Sequence, residues 1–118
     1  MNNLTARQIE DTINKLVSRT ASGKAKWVIS EVSEELSTDT EKFQFFIFSR
    51  DTDNDAPFVF EIYLKPTKED SDPVQIAHSA SRPDNPLNDL LAKLYSVAKL
   101  SLEGIKDLAH ELAEDLED

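Results

Sequence analysis

An α+β fold is expected from three features of this 118-residue chain. Apolar residues recur at helical spacing near both ends. In the middle they alternate at strand spacing. Acid-rich runs and prolines separate the alternating segments. Together these predict an N-terminal helix, a four-stranded mostly antiparallel sheet, and a long C-terminal helix broken or kinked near Gly104. With 39% hydrophobic residues, a single domain over 1–118 can bury a core of its own.

The first helix has a clear start. Thr5-Ala6-Arg7-Gln8 fits a capping box, with Thr5 as N-cap and Gln8 at the third helical position. Leu4 and Ile9 are placed for a hydrophobic staple. Ile9, Ile13, Leu16 and Val17 follow at helical spacing, and Gly23 is placed to stop the helix after Ser22.

Four strands are predicted next. Lys26 to Val32 surrounds Trp27, Val28 and Ile29. Phe43 to Ser49 carries Phe43, Phe45 and Ile47 on one face and Phe46 and Phe48 on the other, which predicts a central position in the sheet. Phe58 to Lys65 alternates Phe58, Phe60, Ile62 and Leu64 against Val59, Glu61, Tyr63 and Lys65, and Pro66 ends it. Val74 to Ala80 would place Val74, Ile76, His78 and Ala80 on one face. Asn85 and Pro86 then suit the start of the last helix. Its apolar stripe runs from Leu87 through Leu90, Leu91, Leu94, Val97 and Leu100 to Leu116. Unbroken from Pro86 to Glu117 it would be about 48 Å long, and Gly104 in its middle costs about 1 kcal/mol relative to alanine. A long helix or two helices are both compatible with this pattern.

Charge is unevenly spread. The net charge is −10, from 13 basic and 23 acidic residues. Residues 1–30 hold Arg7, Lys15, Arg19, Lys24 and Lys26 against Glu10 and Asp11. Everything acidic in excess lies beyond them. Direct binding to nucleic acid or to an anionic membrane is disfavoured, because both need a basic footprint. A basic macromolecular partner is favoured, drawn in by the summed field. There are no cysteines, hence no disulfide framework and no thiolate chemistry. No stretch approaches the roughly 18 apolar residues needed to span a bilayer. Met1 to Leu16 lacks the apolar core of a secretory signal. A cytoplasmic location is expected.

Candidate sites of other kinds have little to work with. Asp51-Thr52-Asp53-Asn54-Asp55 opens like a calcium loop, but Ala56 and Ile62 stand where glycine and glutamate are needed. A solvated turn rich in Asp and Asn is expected there. His78 and His110 sit on different elements without ligand spacing. The only glycines, Gly23 and Gly104, exclude phosphate-binding loops and a nucleophile elbow. The carboxylates lie in polar runs, where raised pKa values are not expected. The chain therefore reads as non-catalytic, with no cofactor and no metal. The phenylalanines around Phe46 lack the basic neighbours of a base-stacking surface, and they and Trp27 read as core.

Acidic rows are what remain. Glu103, Asp107, Glu111, Glu114 and Asp118 are spaced 4, 4, 3 and 4 apart. On one continuous helix they fall within an arc of about 80° and extend over about 22 Å. Leu108, Leu112 and Leu116 lie opposite. Such a ridge breaks two local rules: like charges at i,i+4 repel, and anions near a helix C-terminus oppose its dipole. Rule-breaking of this kind points to function. Three further runs are acidic: Glu31, Glu34 and Glu35 within Glu31–Glu41; Asp51, Asp53 and Asp55; and Glu69, Asp70 and Asp72. Duplex DNA carries one negative charge per about 1.7 Å of axis in two curved rows. The ridge and the acidic runs can stand in for parts of those rows.

In size, acidity and these rows the chain resembles the bacterial acidic DNA-mimic proteins, most of all the small kind that binds the histone-like nucleoid protein HU. The resemblance implies a non-catalytic inhibitor that occupies the DNA-binding surface of a basic DNA-binding protein such as HU, as a monomer or a dimer. It implies partner contacts through Glu103, Asp107, Glu111, Glu114 and Asp118 and through the three acidic runs. The basic residues 1–30 depart from a uniformly acidic mimic and place the first helix outside any such surface. The chain is also broadly similar to the small acidic type III secretion chaperones, which implies an effector held on apolar patches. An immunity protein against a basic nuclease toxin would use the electrostatics of the first reading.

Overall fold

Thr5 and Gln8 close the capping box reciprocally. The Gln8 amide donates to Thr5 Oγ1 at 3.1 Å, and the Thr5 amide donates to Gln8 Oε1 at 2.9 Å. From this cap α1 runs over Ala6–Ala21 and ends at Ser22, with Gly23 at φ 80° beyond it. A left-handed turn there suits glycine, which has no Cβ to clash. This computed structural model describes residues 4–30, 34–50, 57–68, 71–80, 87–102 and 108–116, with backbone only at 80 and 108–111.

Among the described residues the sheet has five strands: β1 Val28–Ile29, β2 Leu36–Asp39, β3 Phe43–Ser49, β4 Phe58–Leu64 and β5 Val74–Ala80. They lie side by side in chain order, each antiparallel to the next. Four strands were expected, so the count is corrected by one. The additional strand, β2, sits inside the acidic run Glu31–Glu41. Its signal is short, since only Leu36 and Thr38 face inward, between Glu35, Ser37 and Asp39. Buried Thr38 donates from Oγ1 to the Lys26 carbonyl at 2.7 Å and so ties β2 to the chain entering β1. β3 is central in the strand order, but its second apolar face, with Phe46 and Phe48, is only half-buried because the helices pack on the other face.

α2 spans Leu87–Leu102 and α3 spans Leu108–Leu116. The described part of the C-terminal stripe lies on these two segments. Asn85, Pro86 and Gly104 lie outside the described residues. α1 and α2 pack on each other over one face of the sheet. Ile9, Ile13, Leu16 and Val17 of α1 meet Leu91, Leu94, Tyr95 and Ala98 of α2. Beneath them lie Leu36, Phe45, Ile47, Phe58, Phe60 and Ile62 of the sheet. Fully burying one such side chain contributes about 1.5–3 kcal/mol, so this two-layer core is the main source of stability. Trp27 joins it, as its aromatic character predicts. No helix among the described residues is long and apolar enough to cross a membrane.

Candidate functional site

α1 and α2 cover one face of the sheet, and among the described residues they do not cover the other. On that second face, strand register lines up side chains in rows. Ser37, Phe46, Glu61 and His78 are successive cross-strand partners on β2 to β5. Asp39, Gln44, Tyr63 and Gln75 form the neighbouring row. Adjacent strands stand about 4.8 Å apart, so partners in a row touch.

A bulge makes the β5 side of these rows possible. Gln75 and His78 are three residues apart, and in a regular strand an odd spacing puts side chains on opposite faces. Between the Ile62 and Tyr63 pairings β5 takes up one extra residue, Ile76. Ile76 packs with the helix-side core, and Ala77 is buried there too. His78 is thereby returned to the same face as Gln75. The expectation that Ile76 and His78 share a face is therefore corrected, and the cause is the bulge.

Glu61 is the centre of the arrangement. The Gln75 amide nitrogen donates to Glu61 Oε2 at 2.9 Å, and His78 Nδ1 lies 3.0 Å from the same oxygen. Gln75 also donates to the Tyr63 hydroxyl at 3.1 Å. The Phe46 and Tyr63 rings meet edge to face at 5.4 Å, a favoured aromatic geometry. Tyr63 is pushed above its ordinary pKa by burial, then by the Glu61 charge and by hydrogen bonding to Glu61, with Glu35 adding to the effect and Gln75 opposing it. Two carboxylates thus act on one phenol. Glu35, Gln44, Phe46, Glu61, Tyr63 and Pro73 line an open groove of about 280 Å³. At its edge Lys65 Nζ bridges Asp39 Oδ2 at 3.3 Å and the Thr40 carbonyl at 2.8 Å, which closes the β2–β3 turn onto β4.

The acidic residues singled out from sequence are distributed more widely. Glu34 is exposed in the turn before β2, at φ 58°. Glu35 is half-buried and lines the groove. Asp72 is exposed before β5. Because β2 and β5 run in opposite directions, Glu34 and Asp72 sit at opposite ends of the sheet. Glu111 and Glu114 belong to α3, and Glu114 is exposed. Glu31, Asp51, Asp53, Asp55, Glu69, Asp70, Glu103, Asp107 and Asp118 lie outside the described residues. Of the expected ridge, only Glu111 and Glu114 fall on a described helix, α3. The leucines opposite it are open to solvent, with Leu112 54% and Leu116 80% exposed.

Glu61, Tyr63 and Gln75 were not expected as a site. Glu61 is the one acid inside an otherwise apolar strand, which is a readable signal. Its partners depend on the β5 bulge, which is not. Among the described residues no group of three or more His, Asp or Glu side chains is placed to hold a metal ion. Comparison with known protein families, with curated proteins and with solved structures finds no match to this chain.

Proposed function

We propose that this chain is a non-catalytic acidic protein that occupies the DNA-binding surface of a basic protein. The observation that carries the reading is a net charge of −10 with exposed carboxylates at both ends of the sheet and on α3. Glu34, Asp72, Glu114 and Asp115 are exposed examples. A seven-residue strand such as β4 spans about 24 Å, and duplex DNA of that length carries about 14 phosphate charges. The acidic surface stands in for a fraction of them. That is enough to compete where Lys and Arg side chains grip the backbone rather than read bases.

A gel-shift titration against HU and other basic nucleoid proteins tests this. The chain should release DNA from at least one of them without binding DNA itself. If every such protein keeps its DNA, mimicry is wrong. A second reading, an effector chaperone of the secretion type, draws support from exposed Leu112 and Leu116 on α3. An apolar interface of that kind should be nearly insensitive to salt or strengthen in sulfate, whereas the acidic interface should weaken. An immunity protein for a basic nuclease shares the electrostatics of the first reading and differs in partner alone.

A further inference from the structure

We propose that the open-face groove between Phe46, Tyr63, Glu61 and Glu35 takes an arginine side chain of the basic partner. The inference rests on the acidic-partner reading above and names the chemistry at one point of contact. Three features of the groove suit a guanidinium. Its floor is aromatic, with Phe46 and Tyr63 set edge to face, and a guanidinium stacks on such rings as well as attracting them as a cation. Its walls carry two carboxylates, Glu61 and Glu35, which match the positive charge. Glu61 is also held in place. Gln75 and His78 both meet it at Oε2. A carboxylate whose rotamer is already fixed loses little entropy on binding.

Arginine fits better than lysine on geometry. An ammonium is a compact, strongly hydrated point charge and gains little from an aromatic floor at an open site. The planar fork of arginine can lie on a ring and direct N–H groups to a carboxylate at the same time. A groove of about 280 Å³ admits the head group and part of its stem, with Gln44 and Pro73 at the sides. The pull on Tyr63 from both carboxylates is consistent with a negative field focused on this spot.

The test uses the full chain and two blocked peptides of equal charge, hexa-arginine and hexalysine, titrated by calorimetry and by NMR. Hexa-arginine should bind about fivefold tighter than hexalysine, the size that one exposed cation–ring contact supports. The ring resonances of Phe46 and Tyr63 should move with hexa-arginine. Phe46→Leu, which keeps apolar bulk and removes the ring, should abolish the preference while hexalysine binding stays. Glu61→Gln should weaken hexa-arginine more than hexalysine. Equal binding of the two peptides with unmoved ring resonances overturns the groove but leaves the acidic-partner reading standing. Binding of neither peptide overturns both. The ring shifts of the unmutated protein decide the matter even where a variant fails to fold.

Discussion

The Trp27 indole donates from Nε1 to Thr20 Oγ1 at 2.9 Å, and the same hydroxyl donates to the Leu16 carbonyl at 2.6 Å. Both Thr20 and Trp27 are buried. One hydroxyl on the last turns of α1 therefore satisfies the only polar atom of the largest side chain in the segment leading to β1. This contact fixes how the helix and the sheet meet.

Replacing that hydroxyl should be expensive. Thr20→Val keeps the shape and leaves the indole N–H buried without a partner, a loss of about 1–3 kcal/mol. Thr20→Ser keeps the hydroxyl and should cost clearly less. Urea unfolding of the two variants, followed by tryptophan fluorescence, measures the gap. Equal stability of the two would show that the hydrogen bond contributes nothing net.

Glu34 gives a prediction of opposite sign. It is the described non-glycine residue with positive φ, at 58°. Left-handed backbone costs a residue with a Cβ about 1–2 kcal/mol, and glycine's greater freedom when unfolded returns about 0.5–1 kcal/mol of that. Glu34→Gly should hold stability or raise it by up to about 1 kcal/mol, whereas Glu34→Ala keeps the strain and should not. Denaturant midpoints on both variants check it. A glycine variant less stable than the alanine one would mean that the Glu34 carboxylate itself holds the turn.

The reach of the sequence is clear from individual elements. α1 was legible down to its cap, because a capping box and a staple are local chemistry. β3 was legible to the residue, because its alternation is long, and β5 was legible in its bounds. β2 was not, because four residues with two polar members and an acidic flank resemble a loop. The bulge in β5 was not either, because an extra residue changes which side chains share a face without changing the pattern of apolar letters. The site followed the same division. Acidic runs are visible in any listing of residues, whereas the Glu61 cluster exists only once β4 and β5 are set in register.

Tyr63 supplies a pH prediction. Its pKa lies above the ordinary 10.0, through burial first and then through Glu61. A group whose folded pKa is raised contributes stability that is fully present below the unfolded value. That stability is lost as pH rises through the folded one. The alkaline loss tied to Tyr63 should therefore begin above about pH 10. Glu61→Gln removes a charge that holds the phenol neutral, so the Tyr63 pKa should fall toward its ordinary value while burial and Glu35 keep it somewhat raised. An NMR titration of the Tyr63 ring follows this directly. An unchanged pKa would mean that Glu61 does not act on the phenol.

The acidic ridge yields the prediction on which the proposed function depends most. Take Glu103→Gln, Asp107→Asn, Glu111→Gln and Glu114→Gln together. Glutamine forms helix nearly as well as glutamate. In α3, which has no basic residue in its last turn, an anion at Glu114 opposes the helix dipole. Glu114 is exposed, and surface substitutions usually change stability by no more than about 0.5 kcal/mol each, so thermal melts should change little. Binding to the basic partner should fall by about tenfold or more, which is about 1.4 kcal/mol spread over four lost charges. The slope of log affinity against log salt should flatten in the variant, because fewer exposed charge pairs remain to be screened beyond a Debye length of about 8 Å at physiological salt. Affinity, salt slope and melting temperature measured on one preparation separate the readings. Loss of affinity with an intact fold and a shallower slope supports the acidic surface as the contact. Unchanged affinity with a flat salt response in the unmutated protein would shift the contact to the exposed leucines of α3 and the function to apolar capture.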